Sequence, residues 1–187
     1  MSDIKEQVAL DPSPPHRNLF MTNILEFIPL GCPHLEPVLL SWAEVEKAVA
    51  ALANKVRHDF NPDVIVGIAR GGLIPAVRLS HLLGDRLMRV IHVKYYEDID
   101  IRKEKPEIWS DVKKLKGRVL IVDDVADTGG TLGVVLDHIR QRTEGEVKVA
   151  TIAWKPRSSV KPDFYVFETD KWIIFPWEEA PVKTGGT

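Results

Sequence analysis

The segment Val119 to Leu132 reads VLIVDDVADTGGTL. It places Asp123, Asp124 and Asp127 close together, followed at once by Thr128-Gly129-Gly130-Thr131. The apolar run Val119–Val122 reads as a buried strand, and Gly129 to Arg142 reads as a helix with Leu132, Val135, Leu136 and Ile139 on its apolar face. In open α/β sheets, ligands bind beyond the C-terminal ends of strands. The first N–H groups of a helix lack partners and sit at its positive end, so they suit a phosphate. Glycines let the backbone approach such a ligand, and Thr128 and Thr131 add hydroxyl donors. Adjacent residues at a strand end point in different directions, so Asp123 and Asp124 have different partners. Carboxylates beside an anion call for Mg²⁺, or for sugar hydroxyls as donors. The pattern is neither G-x-x-x-x-G-K-[ST] nor G-x-G-x-x-G.

Three further stretches carry candidate chemistry. Ala69-Arg70-Gly71-Gly72 follows the short β-branched run Val64–Ile68. A polar, charged connection runs from Lys94 to Lys116, with Arg102 and Pro106 inside it. A connection this long in a compact domain tends to be functional. Lys155 stands just past the strand-like Val147–Ala153, and Trp172-Ile173-Ile174-Phe175 follows a turn at Thr169–Lys171. Ile174 and Phe175 are expected in the core. Histidines at 16, 34, 58, 81, 92 and 138 show no H-x-x-x-H spacing and read as surface or capping residues.

These groups need a scaffold. Ser41 and Glu44 match a capping box, and Val45, Ala48, Val49, Leu52, Ala53 and Val56 form a helical stripe after it. A second helix is expected after Gly72, running to Leu83 and stopped by Gly84. Val90–Val93 and Phe164–Phe167 read as further strands. Strands alternating with helices predict a parallel sheet with helices on its faces. Residues 1–40 differ: Pro12, Pro14, Pro15, Pro29, Pro33 and Pro37 make this an extended or irregular arm.

Composition bounds the partners. The 187 residues carry a net charge of −2, so a general nucleic-acid binder or a polybasic membrane binder is not expected. Cys32 is the single cysteine, so it can form no internal disulfide, which fits a cytoplasmic setting. No stretch free of Asp, Glu, Lys and Arg approaches the roughly 18 residues of a membrane helix. The N-terminus lacks the pattern of a cleaved secretory signal.

Over roughly residues 40 to 180 the chain resembles the type I phosphoribosyltransferases, and within them the xanthine-guanine and archaeal purine enzymes. VLIVDDVADTGGTL resembles the family's phosphoribosyl-pyrophosphate motif. The resemblance implies the type I phosphoribosyltransferase fold. That is a mostly parallel central sheet flanked by helices, with a small hood from the C-terminal strands and an N-terminal arm. The implied organisation is an extension at 1–40 and a phosphoribosyltransferase domain at 41–187, with a flexible loop at 94–116 and a hood at 155–180.

The implied activity transfers the 5-phosphoribosyl group from phosphoribosyl pyrophosphate to guanine, xanthine or hypoxanthine. By the same resemblance, Asp127, Thr128, Gly129, Gly130 and Thr131 hold the 5′-phosphate. Asp123 and Asp124 reach the ribose hydroxyls and Mg²⁺, with Asp124 on the metal side. Arg70 and Gly71 hold pyrophosphate, after a cis peptide at Ala69–Arg70, and Arg102 contacts it from the loop. Lys155 hydrogen-bonds the 6-oxo group, Trp172 stacks on the base, and the backbone of Trp172 and Ile173 meets its edge. Asp127 faces purine N7. Ala69 departs from the Ser common in bacterial xanthine-guanine enzymes, which removes one possible hydroxyl contact. Relatives are dimers or tetramers, so a homodimer or homotetramer is expected. Alternatives are an adenine-specific enzyme of the same fold, a non-catalytic nucleotide-sensing regulator, and a plain interaction module.

Overall fold

The computed structural model describes residues 36–95 and 106–178. In chain order the elements are strand β1 (Val38–Leu39), helix α1 (Trp42–Asp59), β2 (Val64–Ala69), α2 (Leu73–Leu82), β3 (Leu87–Lys94) and β4 (Glu107–Ser110). They continue with β5 (Val119–Ala126), α3 (Gly130–Arg140), β6 (Val147–Trp154), β7 (Phe164–Glu168), β8 (Ile173–Ile174) and a 3₁₀ turn at Pro176–Glu178. The main sheet runs β4-β3-β2-β5-β6-β7. All its pairs are parallel except the edge pair of β3 with β4.

Helix α1 begins as its sequence predicts. The backbone N–H of Ser41 donates to Glu44 Oε2 at 2.7 Å, and the N–H of Glu44 donates to Ser41 Oγ at 3.3 Å. Its buried stripe is Val45, Val49, Leu52, Ala53 and Val56, with Ala48 half-buried beside it. Helix α2 ends before Gly84, whose φ of 90° suits glycine.

Strand β5 shows why the sheet is covered on both faces. Leu120 and Val122 pack with α1 and α2 on one side. Val119 and Ile121 pack with Leu132, Val135, Leu136 and Ile139 of α3 on the other. Side chains alternate along a strand, so an unbroken apolar run requires two cores.

Three differences from the sequence reading bear on function. First, β5 continues through Asp123 and Asp124 to Ala126 instead of ending at Val122. Its pairing with β2 stops at Gly67 with Val122, whereas its pairing with β6 continues to Ala126 with Trp154. The acidic pair therefore lies on a strand whose other edge has parted from its neighbour. Second, the polar connection after Lys94 includes a strand: Glu107–Ser110 forms an antiparallel edge strand. Ile108 packs against the second core, and Val112 and Leu115 are buried, which anchors this half. Third, the two C-terminal strands do not pair with each other. β7 extends the main sheet, while β8 pairs in parallel with β1. Val38 and Leu39, read from sequence as part of the extension, thus help to build the hood.

Ile121 is fully buried in the central strand. Ile121→Ala should destabilise the fold by about 2–5 kcal/mol. A lower urea midpoint with an unchanged m-value would show this.

Candidate active site

In the order β3-β2-β5-β6 the chain reverses direction of travel between β2 and β5, the kind of switch point where open α/β sheets bind ligands. Two loops leave the sheet there. Each leads into a helix without a side-chain cap: α2 after Gly72 and α3 after Gly129. Two uncapped helix starts at one crevice make two places for anionic groups.

The first loop contains a cis peptide at Ala69–Arg70, where the resemblance puts it. Arg70 is exposed. Gly71 and Gly72 lie hard against the β5 strand end. A Cβ on Gly71 would stand 1.7 Å from Asp124 Oδ2. One on Gly72 would stand 2.6 Å from the Val122 carbonyl oxygen and 2.7 Å from that of Ile68. The glycines are required by this close approach of the loop to the β5 strand end.

Asp123 and Asp124 are both half-buried. The N–H of Asp124 donates to Asp123 Oδ1 at 3.0 Å, and the N–H of Val125 donates to Asp124 Oδ1 at 2.8 Å. Burial, and then the charge of Asp124, raise the Asp123 carboxyl well above the usual range. Burial also raises Asp124, the Val125 N–H opposes this, and the charge of Glu178 adds to the rise. Glu178 escaped the sequence reading. It sits in the 3₁₀ turn and accepts the Phe175 N–H at 3.0 Å, and no sequence spacing links it to Asp124.

The acidic pair fits a hard divalent cation, because a cation would offset the unfavourable charge that both carboxyls carry. Among the described residues no group of three or more His, Cys, Asp or Glu could hold a metal. The remaining oxygens would therefore come from substrate and water, as is usual for Mg²⁺.

The second loop is clamped by the segment after β6. Gly129 has φ of 85°, and a Cβ there would stand 2.5 Å from Ser159 Oγ. The Thr128 carbonyl oxygen accepts the Ser159 N–H at 2.9 Å and its hydroxyl at 3.1 Å. The N–H of Lys155 donates to the Ala126 carbonyl oxygen at 3.0 Å. Lys155 is 3 % exposed, and its Nζ lies 3.2 Å from Asp127 Oδ1. The same Nζ stands 5.2 Å from the ring centre of Trp172. Arg157, which the sequence reading passed over, joins Asp127 through Nε at 2.9 Å and through Nη2. Its signal was its place, two residues past Lys155.

The hood supplies an aromatic surface. Trp172 is 43 % exposed, whereas Ile173 and Phe175 are buried and Ile174 is half-buried. The Trp172 carbonyl oxygen accepts the Val38 N–H at 2.8 Å, which leaves its second lone pair for a ligand.

The structure thus gathers the expected residues into two groups. Arg70, Gly71, Asp123 and Asp124 form one. Asp127, Thr128, Gly129, Gly130, Thr131, Lys155, Trp172 and Ile173 form the other. Arg102 lies outside the described residues. The described histidines lie elsewhere: His58 contacts Asp59, His81 is exposed on α2, His92 packs at a tilt against Trp109, and His138 faces Ser110.

Residues 38–184 match the phosphoribosyl transferase domain family. A xanthine-guanine phosphoribosyltransferase of Cereibacter sphaeroides is 33 % identical over 160 residues, covering 79 % of this chain and 90 % of that protein. One from Nitratidesulfovibrio vulgaris is 31 % identical over 144 residues, covering 74 % and 83 %. The crystal structure of a purine phosphoribosyltransferase from Pyrococcus horikoshii is 55 % identical, with a TM-score of 0.70, covering 78 % of this chain and 97 % of that one.

The raised Asp123 carboxyl has a consequence for stability. A folded-state pKa above the unfolded one favours the protonated folded form, so ionisation at neutral pH weakens the fold. Asp123→Asn keeps the Oδ1 acceptor and removes the charge. It should raise the thermal midpoint of the metal-free protein at pH 7.5 by roughly 2–4 °C. The gain should fade as pH drops towards about 4, where the unfolded carboxyl also takes up its proton. Melting curves across this range test the sign.

Proposed function

This chain belongs to the phosphoribosyl transferase family, and from that membership we propose that it makes purine nucleoside monophosphates. Its substrates are phosphoribosyl pyrophosphate and guanine, xanthine or hypoxanthine, and its other product is pyrophosphate. The observation that carries the choice of base is the buried Lys155 paired with Asp127 beneath the Trp172 ring.

An ammonium has only donors. Facing a purine 6-oxo group, it makes a charge-assisted hydrogen bond. Facing the 6-amino group of adenine, it would set donor against donor in a buried place, which discriminates strongly. This argues against the adenine-specific alternative. Asp127 complements Lys155 by accepting the N7 proton.

The reaction joins purine N9 to C1′ and breaks the C1′–O bond to pyrophosphate. The ring oxygen shares the charge that develops at C1′. The protein orients the base, stabilises the leaving group and excludes water. The Gly129–Thr131 turn and the uncapped start of α3 bind the 5′-phosphate. Arg70 and the loop at 69–72 bind the pyrophosphate, and Arg102 contacts it as well. Asp123 and Asp124 accept from the ribose hydroxyls. Asp124 is on the metal side, and Mg²⁺, when bound with the substrate, neutralises pyrophosphate charge. Trp172 stacks on the base, and the Trp172–Ile173 backbone meets its edge.

The enzyme works in the cytoplasm, a setting that the lone Cys32 suits, as a homodimer or homotetramer. Ile74 and Val77 support self-association, since they leave an exposed apolar strip on α2.

Incubation with labelled phosphoribosyl pyrophosphate, Mg²⁺ and each of five nucleobases tests the proposal. Nucleotide should form with at least one 6-oxopurine and not with adenine. Product from adenine alone overturns the base assignment, and no product with any base overturns the activity. Asp127→Asn should lower kcat by about 10²–10⁴-fold while changing the Kd for nucleoside monophosphate far less. Unchanged turnover would remove Asp127 from proton transfer.

A further inference from the structure

We propose that Arg157 is a positioning residue for Asp127, fixing the carboxylate in the orientation that receives the purine N7 proton. The inference rests on the reading of Asp127 given above. Three nitrogens converge on one oxygen of this carboxylate. Lys155 Nζ lies 3.2 Å from Asp127 Oδ1, Arg157 Nε donates to it at 2.9 Å, and Arg157 Nη2 pairs with it as well. With Oδ1 so occupied, Oδ2 is the oxygen that meets N7.

A single ammonium does not fix a carboxylate. Its donors rotate freely, and the terminal torsion of an aspartate is broad. A guanidinium is planar and presents adjacent nitrogens in fixed directions, so two of them closing on Oδ1 hold that oxygen, and with it the terminal torsion of Asp127, in one place. Arg157 supplies that second direction. Its side chain is 54 % exposed, against 3 % for Lys155. Exposed ion pairs contribute little to stability, so the effect of Arg157 lies in orientation. The carrier segment is rigid where it counts, because Ser159 is bonded twice to the Thr128 carbonyl oxygen.

In the step served, the N9 lone pair of the N7–H purine forms the bond to C1′. The C1′–O bonding pair leaves with pyrophosphate, and the N7 proton passes to Asp127 Oδ2. A carboxylate free to turn would meet N7 productively only part of the time.

Steady-state nucleotide synthesis on Arg157 variants tests the assignment. Arg157→Ala should lower kcat about tenfold with the KM for phosphoribosyl pyrophosphate within about twofold. Arg157→Lys should restore only part of the loss. In an Asp127→Asn background the alanine change should add less than about twofold. Wild-type kcat in Arg157→Ala, with Asp127→Asn impaired, overturns this inference alone. Wild-type turnover in Asp127→Asn overturns the reading of Asp127 beneath it. A full loss that persists in the Asp127→Asn background, or a raised KM at unchanged kcat, makes Arg157 a phosphate contact and also overturns the inference. Should Arg157→Ala not fold, Arg157→Gln carries the same comparisons, since it keeps an N–H donor without the fork.

Discussion

Lys155 holds an ammonium group almost entirely out of water, and such a charge is costly unless a counter-ion meets it. Its counter-ion is Asp127, and much of the fold serves to bring the two together. Asp127 follows β5, and Lys155 follows β6. The two strands pair in parallel up to Ala126 with Trp154, so the residues after their ends emerge side by side. A slip of one residue in this register would send the side chains to opposite faces. The alternating cores on β5 prevent that slip, because Leu120 and Val122 suit one layer and Val119 and Ile121 the other.

The same crevice holds a region of opposite character. Asp123 and Asp124 sit where β5 has parted from β2, and their carboxyls resist ionisation because of burial and neighbouring negative charge. Around Asp127 the cations are in excess, with Lys155 and Arg157 on one carboxylate. A ligand with a metal-binding pyrophosphate at one end and a carbonyl-bearing base near the other would match both regions. Neither region needs a basic protein. The net charge of −2 is compatible with a strongly anionic substrate, since fixed backbone N–H groups and a few placed cations can do the binding.

The strand–loop–helix turn was legible in the sequence because its signal is local. Asp127, Thr128, Gly129 and Gly130 lie within one such unit, and their spacing is the signal. The helical stripes were legible for the same reason: Ser41 and Glu44 cap α1 through contacts three residues apart. Contacts across the fold left no such trace. Glu178 acts on Asp124 from a separate turn, and β1 joins β8 across most of the chain. Composition also misled in one place. The charged stretch after Lys94 read as a continuous connection, yet Ile108, Val112 and Leu115 were enough to dock its second half.

Arg157 lies between these cases. Its distance from Lys155 along the chain is short, but its partner is thirty residues away in sequence. The resemblance directs attention to Lys155 because that residue has a role to carry over, and it stops there. Only the geometry shows that the carboxylate opposite is shared. A carboxylate used as a base must be correctly turned. The buried ammonium lies against its Oδ1, and a planar guanidinium closes on the same oxygen from a second direction. The arrangement divides the contact between two residues of one loop. On the proposed reading Lys155, buried, meets the 6-oxo group of the purine, while Arg157, at the rim, sets the angle from which Asp127 is approached.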